Sequence, residues 1–187
     1  MNLLKRILSI VAISIAGLSS QVLADDDYEG FYTAAYIGAN QINDISFGAL
    51  GTVGFETGPE YQVGAGYDLG RFRIEGQYAR SEADFEKTTN NIVTTSIEAN
   101  ALIDFTNETK LVSFLGAGIG STKAEATGEE DTVKYTNLIG GIGYKISDSL
   151  NLDLKYTYRL FEDITLGAVS VKEPSSSSLV TGLRFNF

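Results

Sequence analysis

Seven charged side chains, Arg73, Glu75, Glu98, Asp153, Lys155, Arg159 and Arg184, sit in segments that alternate polar and apolar residues. Successive side chains of an extended chain point to opposite faces, so this spacing gathers the charges on one side and the apolar groups on the other. Facing acids and bases can build a gate or an ion path. Packed without water, the same groups form a network of mutually compensating charges. Other chemistry-bearing residues are sparse. Glu129-Glu130-Asp131 lacks the spaced ligands of a dedicated Ca2+ or Mg2+ site and reads as a solvated acidic loop. The serine run Ser175 to Ser178 follows Pro174 and reads as a loop entering a strand. The chain has no histidine. An activated serine would then need a lysine or carboxylate within hydrogen-bond reach, and no motif marks such a pair. No catalytic, cofactor-binding or metal-binding residue is assigned.

Composition narrows the classes further. There is no cysteine, which removes disulfide frameworks and zinc-thiolate sites. Lys5 and Arg6, the largely apolar stretch Ile7 to Leu18, and Val22-Leu23-Ala24 have the order of a secretory signal peptide. A bilayer-spanning helix needs about 20 apolar residues, more than this stretch supplies. The expected organisation is a leader over residues 1–24 and one domain over 25–187. Loss of the leader leaves 12 Lys and Arg against 24 Asp and Glu, a formal charge of −12. Nucleic acid is therefore excluded as a partner, since its binding depends on neutralising phosphates with cations. Beyond residue 24 no apolar run is long enough for a membrane helix.

The charges are positioned by strands. Eight segments carry the pattern: Gly30 to Ile42, Glu60 to Asp68, Arg71 to Ala83, Ile92 to Phe105, Lys110 to Thr122, Val133 to Ser147, Leu150 to Asp163 and Ser176 to Phe187. In the seventh, Leu150, Leu152, Leu154, Tyr156, Tyr158 and Leu160 oppose Asn151, Asp153, Lys155, Thr157 and Arg159. The third sets Phe72, Ile74 and Tyr78 against Arg73, Glu75 and Gln77. The fourth sets Ile97, Ala99, Ala101, Ile103 and Phe105 against Ser96, Glu98, Asn100 and Asp104. The first and fifth are too rich in alanine and glycine for their faces to be assigned. Short turns at Asp68-Leu69-Gly70, 106–109 and Asp148-Ser149 alternate with longer polar connections near 43–59, 84–91, 123–132 and 164–175. Such a chain predicts an all-β fold, an eight-stranded antiparallel transmembrane up-and-down β-barrel with both termini on one rim. Its bore is just wide enough for its own side chains, which favours the packed network over a conducting pore.

The run Gly64-Ala65-Gly66-Tyr67-Asp68-Leu69-Gly70, with Arg73-Ile74-Glu75 and Tyr78 after it, resembles a hairpin of the outer-membrane β-barrel domain family. That family includes OmpA-like transmembrane domains and opacity-type proteins. Phe114 to Gly120, Gly141 to Tyr144, Asn151 to Tyr158 and Gly182 to Phe187 are similar to its later strands. The resemblance implies a bacterial outer-membrane location, contact with outer-membrane lipid and lipopolysaccharide, and a monomer. It also implies that Leu183, Phe185 and Phe187 carry the signal read by the outer-membrane assembly machinery. The expected function is non-enzymatic, envelope integrity or surface interaction through four external loops. The alternative is a narrow porin-like channel for small solutes.

Overall fold

The computed structural model describes residues 29–43, 45–46, 52–84, 91–106, 109–126, 129–162, 164–166, 169–171 and 174–187. The expected leader lies outside them. Eight long strands form the wall: β1 (Glu29–Ile42), β4 (Gly58–Leu69), β5 (Phe72–Asp84), β6 (Asn91–Phe105), β7 (Leu111–Ala126), β8 (Glu129–Lys145), β9 (Leu150–Phe161) and β12 (Ser175–Asn186). Four short ones, β2 (Ile45–Ser46) with β3 (Thr52–Val53) and β10 (Ile164–Leu166) with β11 (Val169–Val171), form separate antiparallel pairs. The wall closes in the order β1-β12-β9-β8-β7-β6-β5-β4, every neighbour antiparallel, with β4 returning to β1.

Followed around the barrel, the register leaves β1 at Ile42 and passes through Ser176, Arg159, Asn137, Gly118, Asn100, Glu75 and Gly66. It re-enters β1 at Tyr32, ten residues earlier. A stagger of this kind accompanies strands tilted by roughly 35–45°. At the rim carrying both ends of the wall, the Asp68 carboxylate accepts a hydrogen bond from the Gly70 amide at 2.9 Å. Gly70 adopts a positive φ of 81° there, a conformation glycine takes without steric cost. The Phe187 amide donates to the Phe31 carbonyl at 2.9 Å and ties the last residue to the first strand.

Burial is inverted relative to a water-soluble domain. Large apolar side chains face outward on every wall strand, among them Ile97 (68% exposed), Ile119 (67%) and Ile74 (59%). A belt of that extent is far larger than a soluble monomer exposes. Polar and charged groups fill the bore instead. Closure leaves no unpaired strand edge in the wall, which a hydrocarbon surrounding requires.

Two expectations need correction. The connection near 123–132 is not a long loop, because β7 and β8 remain paired up to Ala126 opposite Glu129. Glu129-Glu130-Asp131 therefore lies in strand β8. Both faces of a hairpin rising beyond the apolar belt meet water, so its polar composition does not distinguish strand from loop. The connections near 43–59 and 164–175 likewise contain the short pairs β2-β3 and β10-β11. The faces of the first and fifth segments are now assigned. In β1, Tyr32, Ala34, Tyr36 and Asn40 point inward; in β7, Val112, Phe114 and Thr122 do.

Candidate functional site

All seven of the charged residues read from the sequence lie in the bore, between 0% and 4% exposed. They share it with three further carboxylates, Glu60, Asp68 and Asp104. The alternation of its strand puts Asp104 on the inward face. Glu60 and Asp68 were not singled out, although they share the parity of Gln62, Gly64 and Gly66 along one strand. Among the described residues the bore thus holds six carboxylates and the four cations Arg73, Lys155, Arg159 and Arg184.

At the end near the chain termini, Arg73 lies side-on against Asp104, with Nη2 donating to Oδ1 at 2.8 Å and Nε 2.7 Å from Oδ2. Arg184 Nε donates to Asp153 Oδ2 at 3.1 Å, and its Nη1 lies 3.8 Å from Asp68. The Tyr32 ring sits between the two guanidiniums, each 5.7 Å from its centroid, and Phe114 takes the other side of Arg73 at 5.0 Å. Aromatic faces attract such cations and exclude water from around them. The rings have room because each faces glycine in register, Tyr32 opposite Gly66, Tyr36 opposite Gly182 and Phe114 opposite Gly141. A Cβ at Gly66 would run into the Tyr32 ring.

In the middle of the bore, Lys155 Nζ donates to Gln77 at 3.0 Å, lies 3.9 Å from Glu75, and stands 4.1 Å from the Tyr36 ring. Glu75 also accepts the Tyr32 hydroxyl at 3.2 Å, and Tyr36 donates to Asp153 at 3.2 Å. Gln77 passes the chain on to Gln62, and Gln62 to Glu60, each at 2.6 Å. At the opposite end, Arg159 donates to Glu60 at 2.9 Å and lies 3.6 Å from Glu98. Glu98 in turn accepts Tyr135 at 3.0 Å and Asn137 at 2.8 Å. The network therefore runs from the terminal end of the bore to the Arg159–Glu60 pair, joining residues as far apart in sequence as Tyr36 and Asp153. Its hydrogen bonds in which one or both partners are charged are the stronger ones, shorter and about twice as strong as neutral pairs.

Chemically, the arrangement holds fixed charge. Among the described residues no three His, Cys, Asp or Glu groups are placed to hold a metal ion. Beside the Arg159–Glu60 pair lies a cavity of about 110 Å³, lined by hydroxyl side chains and by apolar ones that include the Phe55 and Phe161 rings. Leu183, Phe185 and Phe187 all face outward and exposed, at 48%, 45% and 69%, with the last two rings in edge contact at 5.2 Å.

This architecture recurs in solved structures. Neisserial surface protein A superposes with a TM-score of 0.67 at 24% identity, covering 84% of this chain and 97% of that one. The outer membrane protein OprG of Pseudomonas aeruginosa gives 0.54 at 10% identity, covering 88% and 100%. The N-terminal barrel of OprF from the same organism gives 0.51 at 13%, covering 86% and 100%. These likenesses establish the fold. No curated protein matches the chain by sequence. The family described as outer membrane protein beta-barrel domain, however, matches residues 10–187. With an apolar belt outside, a closed wall and a polar bore, the chain belongs to that family and is a small β-barrel of the bacterial outer membrane.

Proposed function

We propose that the protein works without catalysis, as a rigid outer-membrane scaffold that serves envelope integrity or presents its four external connections for surface interaction. One observation carries this reading: the ion-pair and hydrogen-bond network from Arg184 and Arg73 to Arg159 spends its charged groups on one another. A nucleophile or general base must instead be held available to a substrate. Binding residues gather on connections held by rigid scaffolds, and the wall is such a scaffold. The outward belt contacts lipid and lipopolysaccharide, and the barrel acts as a monomer. In planar bilayers the refolded barrel is expected to give no stable single-channel conductance. Stable, ion-selective openings would favour the narrow channel instead.

The same proposal gives the terminal strand its role in assembly. Before closure β12 has an unpaired edge, and such an edge can pair with another sheet. Its outward stripe through Leu183, Phe185 and Phe187 fixes register, since a slip of one residue would turn every side chain into the bore. Deleting Phe187 is expected to leave export intact and to block membrane assembly. Fractionation of expressing cells checks this, and heat-modifiable truncated protein in the outer membrane would refute it.

A further inference from the structure

The cavity beyond the Arg159–Glu60 pair has two kinds of lining. Its walls are apolar, from Ile42, Phe55, Ala79, Ile92, Ala124 and Val133. Its polar side includes Glu60, Arg159 and Asn40. Glu60 is 1% exposed and Asn40 5%. Glu60 Oε1 accepts from Arg159 and Gln62, whereas Glu60 Oε2 and Asn40 Oδ1 accept no hydrogen bond among the described residues. A buried acceptor without a donor costs free energy that a ligand donor relieves. The bore around it holds six carboxylates against four cations, so its fixed charge is negative.

We propose that this cavity at the external mouth is a binding site for small organic cations, namely a primary ammonium on a short alkyl chain. The ammonium supplies donors to Glu60 Oε2 and Asn40 Oδ1, and the chain lies against the apolar walls. An anionic ligand of the same length brings no donor to Glu60 Oε2 or Asn40 Oδ1 and leaves the negative balance of the described bore charges uncompensated. A neutral alcohol satisfies one acceptor and leaves the charge uncompensated. A bare divalent cation needs six or more oxygen ligands, which these walls do not offer. Since an apolar cavity of 150 Å³ accommodates benzene, one of about 110 Å³ suits a chain of about four carbons. The inference goes beyond the scaffold role and does not depend on it.

The test is a titration of the refolded barrel in lipid nanodiscs with n-butylammonium, 1-butanol and butyrate, read by the methyl resonances of Ala79 and Ala124. Saturable shifts with n-butylammonium are expected, with affinity at least about tenfold above that for butanol, the worth of one charge-assisted hydrogen bond, and none with butyrate. Ala124→Phe should abolish binding by filling the cavity. Glu60→Gln, which keeps an acceptor for Arg159, should reduce the ammonium to the affinity of the alcohol. Heat-modifiable migration reports that each variant is folded. Equal binding of butanol and butylammonium, tighter binding of butyrate, or shifts that persist in a folded Ala124→Phe variant would overturn the proposal, and so would a cavity occupied by water alone.

Discussion

The two ends of the bore are built from the same alternation, and only one of them adjoins a cavity. Near the termini, Tyr32 packs on both Arg73 and Arg184 and Phe114 on Arg73, and the two rings occupy the space left by Gly66 and Gly141. Near the mouth, Arg159 meets Glu60 and lies 6.0 Å from the Tyr135 ring, beside a cavity whose lining mixes hydroxyls such as Ser81 and Thr122 with apolar groups such as Phe55 and Ile92. Charge alone therefore does not plug a barrel. Each end sets a ring against glycine, Tyr32 against Gly66 and Phe114 against Gly141 near the termini and Tyr135 against Gly120 beside Arg159; what differs is the cavity that adjoins the Arg159–Glu60 pair.

The largest consequence concerns the stranding of a cation. Asp104→Ala leaves Arg73 desolvated between two rings, and the loss is expected to be about 3 to 5 kcal/mol. Glu60→Ala leaves Arg159 beside a cavity that water can enter and within reach of Glu98, so the cost should fall to about 1 to 3 kcal/mol. Urea unfolding in lipid vesicles measures both. Equal losses would remove the distinction between the ends.

A smaller effect follows from adding carbon at each end. Gly66→Ala drives a methyl group into the Tyr32 ring and the Ile74 carbonyl, an overpacking expected to cost about 1 to 3 kcal/mol. Ala124→Val extends into the mouth cavity and should change stability by no more than about 0.5 kcal/mol. The same unfolding series checks the pair, and a reversed order would mean that the mouth is the tighter end.

Much of this was legible along single strands. Parity alone placed Arg73, Glu75, Glu98, Asp153, Lys155, Arg159 and Arg184 on the inward face, because each lies in a strand whose other face is apolar. Pairing was not legible. Arg159 finds Glu60, and Arg184 finds Asp68, through the stagger of the closed wall, and Arg184 meets Asp153 through the β9-β12 register; no single strand encodes either. Glu60 and Asp68 escaped notice because glycine and alanine blur the alternation between them. The inward direction of Tyr32 and Tyr36 is not legible because an aromatic residue fits either face of a membrane barrel. The length of the β7-β8 hairpin was hidden because polar residues beyond the belt suit strand and loop equally.

The central claim is that the bore is dry and cross-braced near the termini and open to water at the mouth. Hydrogen exchange of the arginine guanidinium protons, followed by NMR on the folded barrel with 15N-labelled arginine, tests it most directly. The account predicts strong protection at Arg73 and Arg184 and measurably faster exchange at Arg159. Equal rates at all three, or faster exchange at Arg73 than at Arg159, would contradict it.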